Sequence, residues 1–181
     1  MGYNRDTTKN KSKKIALMAM LFVMAMVLSF VESMLTAGLS LPLGIKPGLS
    51  NIITMYCLFF LGKKGAYTLA FLKAFFAFLT RGATAGMLSL VGGLASITIM
   101  IILLLPKKHS VSYTLLSIAG AVTHNLSQIV LASFILGMGY KVAVGLAPLL
   151  LITGIAMGIL TGFILRLVLP ALEKLGITMR K

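Results

Sequence analysis

An all-α, polytopic membrane bundle of about six transmembrane helices is the architecture this chain encodes, and three observations lead to it. First, 59% of its 181 residues are hydrophobic and only 11% are charged. Mean hydropathy is +1.02. A soluble globule of this size needs a polar skin that such a composition does not supply, whereas a bilayer removes the need for one. Second, the apolar residues fall into runs separated by short basic turns. Third, the basic residues are unevenly shared between alternate turns, as in proteins that fix their orientation by charge.

Residues 1–14 form a polar segment carrying Arg5, Lys9, Lys11, Lys13 and Lys14. The first helix is expected over Ile15–Leu35, interrupted by Ser29, Glu32 and Ser33. This run is too long for the apolar core of an ordinary signal peptide, and no small-x-small cleavage site follows it. Residues 36–47 read as a leucine-rich loop with Gly38, Pro42, Gly44 and Pro47, which lies against the membrane or caps a cavity. The second helix is expected over 48–61, a turn at Gly62-Lys63-Lys64-Gly65, and the third helix over 66–80, ended by Arg81-Gly82. The fourth covers 84–105 and stops at Pro106-Lys107-Lys108; the fifth covers 111–136. The sixth starts between Val142 and Pro148 and ends near Leu169-Pro170. The domain reading is a basic N-terminal segment (1–14), a six-helix transmembrane domain (15–169) and a tail (170–181). A span needs about 20 apolar residues, so the second and third helices are expected to fall short. Short segments of this kind border substrate cavities or are accommodated by the bilayer.

With the N-terminus inside, thirteen Lys and Arg residues face the cytoplasm, and only Lys46, Lys73, Arg81 and Lys141 do not. Both termini are therefore expected to be cytoplasmic. The formal charge of +14 would suggest nucleic-acid binding in a soluble protein. Its placement in turns between apolar runs argues for topology instead, with membrane lipids and not nucleic acid as the contacting partner. Cys57 is the single cysteine, which excludes an internal disulfide and a cysteine metal site. No metal site and no cofactor are expected: His109 and His124 lack ligand spacing, and there is no P-loop. Asp6 is the only aspartate, so two-metal chemistry lacks its carboxylates. The chain is not expected to be an enzyme.

Small residues mark close-packing surfaces. Gly154, Gly158 and Gly162 form a repeated G-x-x-x-G in the sixth helix, and Ala66, Ala70 and Ala74 a similar strip in the third. Ala16 and Ala19 lie near the inner end of the first. These strips serve packing inside the bundle or docking of a partner subunit. Polar residues at membrane depth are costly and mark function. Glu32, Lys46, Asn51, Lys73, Arg81, His124, Asn125 and Gln128 are expected to converge in the outer half of the bundle as a ligand site. Basic groups outnumber the one acid there, which favours an anion. The alternatives are a Glu32–Lys73 pair, snorkelling of Lys46 and Arg81, and interhelical bonding by Asn125 and Gln128.

Three stretches carry a family resemblance: residues 27–33 (VLSFVES), residues 44–54 (GIKPGLSNIIT) and residues 120–128 (GAVTHNLSQ). With the glycine-rich sixth helix they resemble the bacterial family labelled heptaprenyl diphosphate synthase component I, also called the Gx transporter family, over residues 15–169. Where members commonly read Lys-Leu-Gly, this chain has Lys46-Pro47-Gly48, and the proline stiffens the approach to the second helix. The family is similar in size and layout to the substrate-binding S components of energy-coupling factor (ECF) transporters. That similarity implies an S-component-like bundle that takes a small-molecule solute from outside and works with a transmembrane coupling subunit and ATPase subunits. S components often dock through Ala-x-x-x-Ala on the first helix; Ala16 and Ala19 here are three apart. The synthase label implies a rival role, a non-catalytic scaffold or accessory subunit of an isoprenoid, quinone or redox complex. A standalone proton-coupled carrier is the third reading.

Overall fold

The computed structural model describes residues 3–38, 50–105, 111–135, 137 and 139–174. Six helices follow one another: α1 (Tyr3–Gly38), α2 (Asn51–Phe60), α3 (Gly62–Arg81), α4 (Ala83–Leu103), α5 (Tyr113–Ile135) and α6 (Tyr140–Lys174). The described residues contain no strand. The expected count and order of helices hold, and the chain is a helical membrane bundle. Four helices contain a stretch long and apolar enough to cross a bilayer, within α1, α4, α5 and α6.

The boundaries differ from expectation in instructive ways. The helix α1 begins at Tyr3 and not at Ile15, and it continues through residues 36–38, read above as loop. Its 36 residues rise about 54 Å, well beyond the roughly 30 Å hydrocarbon core. The basic N-terminal segment is thus the polar end of the same helix and not a separate unit. The turn expected at residues 62–65 is instead the first turn of α3. Its 20 residues rise about 30 Å, so α3 is long enough to cross after all. Among the described residues only α2 is short, at 10 residues. The helix α6 runs through both Pro148 and Pro170 to Lys174, so the expected boundary at residue 170 falls inside a helix.

Two corners are very tight. Gly62 and Gly82 have φ of 78° and 90°, values that side chains with a Cβ seldom adopt. Each lets the chain reverse with a single residue between helices, Leu61 before α3 and Gly82 before α4. Consecutive helices then run antiparallel in steady register. Along α3 and α4, Phe78 meets Gly86, Ala70 meets Gly93, and the Tyr67 hydroxyl bonds to Thr98 at 2.9 Å. Along α5 and α6, Val122 meets Gly154, Ile118 meets Gly158 and Thr114 meets Gly162.

The largest apolar core lies toward the face that carries Gly62. It joins Met55, Leu58 and Phe60 of α2, Ala66 and Ala70 of α3, Ile97 and Met100 of α4, Leu116 of α5 and Leu165 of α6. Phe59 and Tyr113 meet edge to face at 5.3 Å beside it. A second cluster, with Leu21, Ala25, Ile53, Cys57 and Leu69, seats α1 on α2 and α3. These two helices are the main neighbours of α1.

Candidate ligand site at mid-membrane

Four helices bring a distinctive residue to the same depth. Lys73 lies eleven residues beyond Gly62 on α3, and Asn51 lies eleven residues before it. Gly92 lies eleven residues before Leu103 at the end of α4, and His124 eleven residues after Tyr113 at the start of α5. At 1.5 Å per residue each stands about 16 Å above the Gly62 face, close to the middle of a bilayer. The apolar core described above lies beneath this level and forms its floor.

Lys73 is buried and donates to the Ser50 carbonyl at 3.3 Å and to Thr54 Oγ1 at 3.2 Å. Both acceptors lie at the N-terminal end of α2. Thr54 Oγ1 itself donates to the Ser50 carbonyl at 3.4 Å. Asn51 occupies the first turn of α2, is buried, and has an amide nitrogen with no hydrogen-bond partner. Ser50, the N-cap residue, makes no side-chain cap. The first-turn N–H groups of α2 therefore receive no side-chain cap from Ser50, and they carry the positive end of the helix dipole. Within electrostatic range of Lys73 is His124, whose buried Nδ1 makes no hydrogen bond and lies against Gly92 of α4. Gly92 makes room for its ring: a Cβ at that position would stand 2.8 Å from Nδ1.

A second level lies about 10 Å farther from the floor. Glu32 of α1 is 1% exposed, and its carboxylate acts electrostatically on Arg81 at the end of α3. Arg81 itself is exposed. The eight residues expected to converge are thus sorted by the fold. Asn51, Lys73 and His124 come together at mid-depth, and Glu32 and Arg81 form a level above them. Lys46 lies outside the described residues. Asn125 and Gln128 turn to neighbouring helices: the Asn125 amide donates to the Leu150 carbonyl of α6 at 3.0 Å, and the Gln128 amide to the Leu88 carbonyl of α4 at 3.4 Å. Such bonds tie helices together where no water competes.

The docking strips are sorted as well. Gly154, Gly158 and Gly162 are buried against α5, where a Cβ on Gly158 would stand 2.5 Å from the Ile118 Cα. This strip is filled from inside the bundle and is not open to a partner subunit, which corrects its reading as a docking surface. Ala66, Ala70 and Ala74 are buried too. Ala16 and Ala19 are exposed on α1.

Sequence reasoning missed Thr54, the Ser50 carbonyl and Gly92. Thr54 stands three residues from Asn51, a spacing that shares a helix face. Gly92 gave no signal beyond the Gly92-Gly93 pair, because a glycine that clears space for a ring is recognised only once the facing helix is known.

The sequence profile of the family described as heptaprenyl diphosphate synthase component I matches residues 21–168. The chain belongs to this family. No curated protein matches the chain, and no solved structure does. The match spans every residue of the mid-depth level and leaves out Ala16, Ala19 and the basic end of α1. The name heptaprenyl diphosphate synthase component I denotes one part of a multi-part assembly, so members of the family work with a partner subunit.

Proposed function

We propose that the protein is the substrate-binding membrane subunit, S-component-like, of an ECF-type uptake transporter, and that it takes a small anionic solute from outside the cell. The observation that carries this reading is the mid-depth cluster. A buried ammonium stands at the N-terminal end of α2, where Ser50 makes no side-chain cap, and two buried nitrogens that make no hydrogen bond, Asn51 Nδ2 and His124 Nδ1, lie at the same level above an apolar floor. Buried polar atoms left unbonded destabilise a fold by about 1–3 kcal/mol each. An arrangement that holds two of them beside a cation makes sense when a ligand completes it. The floor closes the route toward the Gly62 face, whose turn carries Lys63 and Lys64, the side assigned to the cytoplasm. The ligand then enters from the opposite, outer side of a bacterial cell membrane, with both termini inside.

The chain has one aspartate and no P-loop, so movement of the solute relies on partners: a transmembrane coupling subunit and ATPase subunits. The exposed Ala16 and Ala19 offer α1 a close-approach surface for the coupling subunit. Lys46 joins the ligand groups from the segment before α2. A thermal-shift screen of the detergent-purified protein against vitamins, quinone precursors, prenyl phosphates and flavins tests this, since a ligand that binds only the folded state raises the melting temperature. A hit that disappears in Lys73→Met supports the reading; a well-folded sample with no hit removes it.

The family name favours a second reading, a non-catalytic accessory subunit of an isoprenoid or quinone complex. It predicts a prenyl transferase in pull-downs and no saturable ligand. Copurification of ATPase subunits decides for the first.

A further inference from the structure

We infer that the corner where α1 meets the start of α3 is a binding site for an anionic phospholipid of the leaflet on the Gly62 face, and that this lipid ties α1 to the bundle. The site stands apart from the mid-depth level and does not depend on the solute reading.

A contact between the two helices sets the corner. A Cβ on Gly65 would stand 3.4 Å from Met18 Cε, so α1 and α3 lie side by side at this depth. Lys13 and Lys14 precede Met18 by little more than one turn of α1, and Lys63 and Lys64 directly precede Gly65 on α3. The two basic pairs therefore stand within about one turn of the same depth. Residues 1–20 hold five cations and residues 61–70 two more, against a single acid, Asp6. Arg5, Lys9 and Lys13 are spaced four apart on α1, and like charges at that spacing oppose the helix that carries them. Clustered cations at a membrane surface are complemented by anionic headgroups.

The apolar surface beside them points to a lipid as the source of the anion. Lys64, Thr68, Phe71 and Phe75 recur at i, i+4, i+7 and i+11, which places them in one line along α3. All four are exposed, Phe71 by 61% and Phe75 by 54%. The Thr68 hydroxyl donates to the Lys64 carbonyl at 2.9 Å, so the polar atom in the line is turned back onto the helix. From Lys64 to Phe75 the helix rises about 16 Å, close to the roughly 15 Å of hydrocarbon in one leaflet. The line thus follows the order of a phospholipid, with charge at the surface and apolar area from there to the midplane. On one side it is flanked by α1, whose Phe22 meets Phe76 edge to face at 6.3 Å. A soluble polyanion or an acidic protein segment would use the lysines and leave the aromatic line unmatched. The main neighbours of α1 are only α2 and α3. A headgroup held between the two basic helix ends offsets their mutual repulsion and adds a tie close to the exposed Ala16 and Ala19.

The full-length protein in a neutral detergent is titrated with phosphatidylglycerol, with phosphatidylcholine of the same chains, with glycerol phosphate as a headgroup without chains, and with polyglutamate. Melting temperature and the lipid retained in native mass spectrometry are read for each. We expect phosphatidylglycerol alone to raise the melting temperature saturably, to stay bound, and to slow hydrogen exchange over residues 3–20. Lys63→Gln/Lys64→Gln weakens its binding roughly ten- to thirtyfold, since each lysine near a charged membrane surface is worth about fivefold. The five cations of α1 still orient that variant. Lys141→Gln, an equally exposed lysine at the opposite end of the bundle, leaves binding unchanged. Equal stabilisation by phosphatidylcholine overturns the inference by showing a general need for lipid. Binding that survives in the double variant, or falls as far in Lys141→Gln, overturns it by showing diffuse charge. An equal effect of glycerol phosphate or polyglutamate overturns it in favour of a soluble anion or an acidic protein. If the double variant does not fold, the comparison of the four additives on the wild type decides alone.

Discussion

The imidazole of His124 rests on Gly92, so closely that a methyl group on the glycine would stand 2.8 Å from both Nδ1 and Cε1 of the ring. The same methyl would stand 3.0 Å from Cγ of Gln128. Helix propensity favours alanine over glycine by about 1 kcal/mol, but overpacking a tight interface costs about 1–3 kcal/mol. Gly92→Ala is therefore expected to lower the melting temperature and to displace His124. In Gly92→Ala/His124→Ala the clash with the ring is gone, and the double variant should be more stable than the sum of the single effects by about 1 kcal/mol. Additive losses in that cycle would show that the ring does not occupy this position.

Lys73 holds the N-terminal end of α2 through the Ser50 carbonyl and Thr54 Oγ1. In Lys73→Met both acceptors keep their places in α2, because Thr54 Oγ1 also bonds to the Ser50 carbonyl. The variant is expected to fold in detergent and to lose at least tenfold in solute affinity, about 1.4 kcal/mol. Titration of both proteins with the screening hit measures this. Aggregation of Lys73→Met under conditions where the wild type is monodisperse would mark the lysine as structural.

The glycines of α6 should form a graded series. The approach of a Cβ to α5 is 2.5 Å at Gly158, 2.6 Å at Gly162 and 3.2 Å at Gly154. At Gly158 and Gly162 the nearest atoms are backbone Cα atoms, which do not yield as a side chain does. Alanine at these two positions should destabilise by more than the 1–3 kcal/mol typical of overpacking, and alanine at 154 by less. Unfolding followed in mild detergent gives the order. An equal effect at all three would contradict the packing register.

Orientation can be read with the native thiol silent. Cys57 is 0% exposed and should not react with maleimide in the folded protein. Cysteines placed at Lys64 and Lys141, both exposed, should then label from opposite sides of the membrane. Lys64→Cys is expected to need a permeant reagent in whole cells, and Lys141→Cys to react with an impermeant one. The reverse pattern would invert the topology and move the ligand's access route to the cytoplasmic side.

Much of the fold was legible because its signal is one-dimensional. Apolar runs, basic turns and the Gly82 corner mark six helices in order. The errors came where composition and conformation part company. Residues 3–14 are polar yet continue α1, since Lys, Arg, Asn and Thr are all tolerated in a helix that has left the membrane. Gly62-Lys63-Lys64-Gly65 reads as a turn, but one positive φ at Gly62 completes the reversal and frees the rest to begin α3. For the site, Lys73, Asn51 and His124 stood out as polar residues at depth. Which of the neighbouring amides ties one helix to another was not legible. Asn125 and Gln128 differ from His124 by one and four positions, and only the register against α4 and α6 shows that both reach across to other helices.

The corners at Gly62 and Gly82 also bear on how the chain enters the membrane. The helix α3 carries Lys63, Lys64, Lys73 and Arg81, and it is absent from the helices apolar enough to cross unaided. A lysine at mid-depth opposes insertion by roughly 2.5–3.5 kcal/mol. One glycine separates α3 from α4, which is long and apolar enough to cross a bilayer. The translocon therefore meets α3 and α4 as a hairpin, and the second arm draws the first into the bilayer. Partition of α3 follows from synthesis of α4, so a chain truncated at Gly82 should leave its third helix outside the lipid.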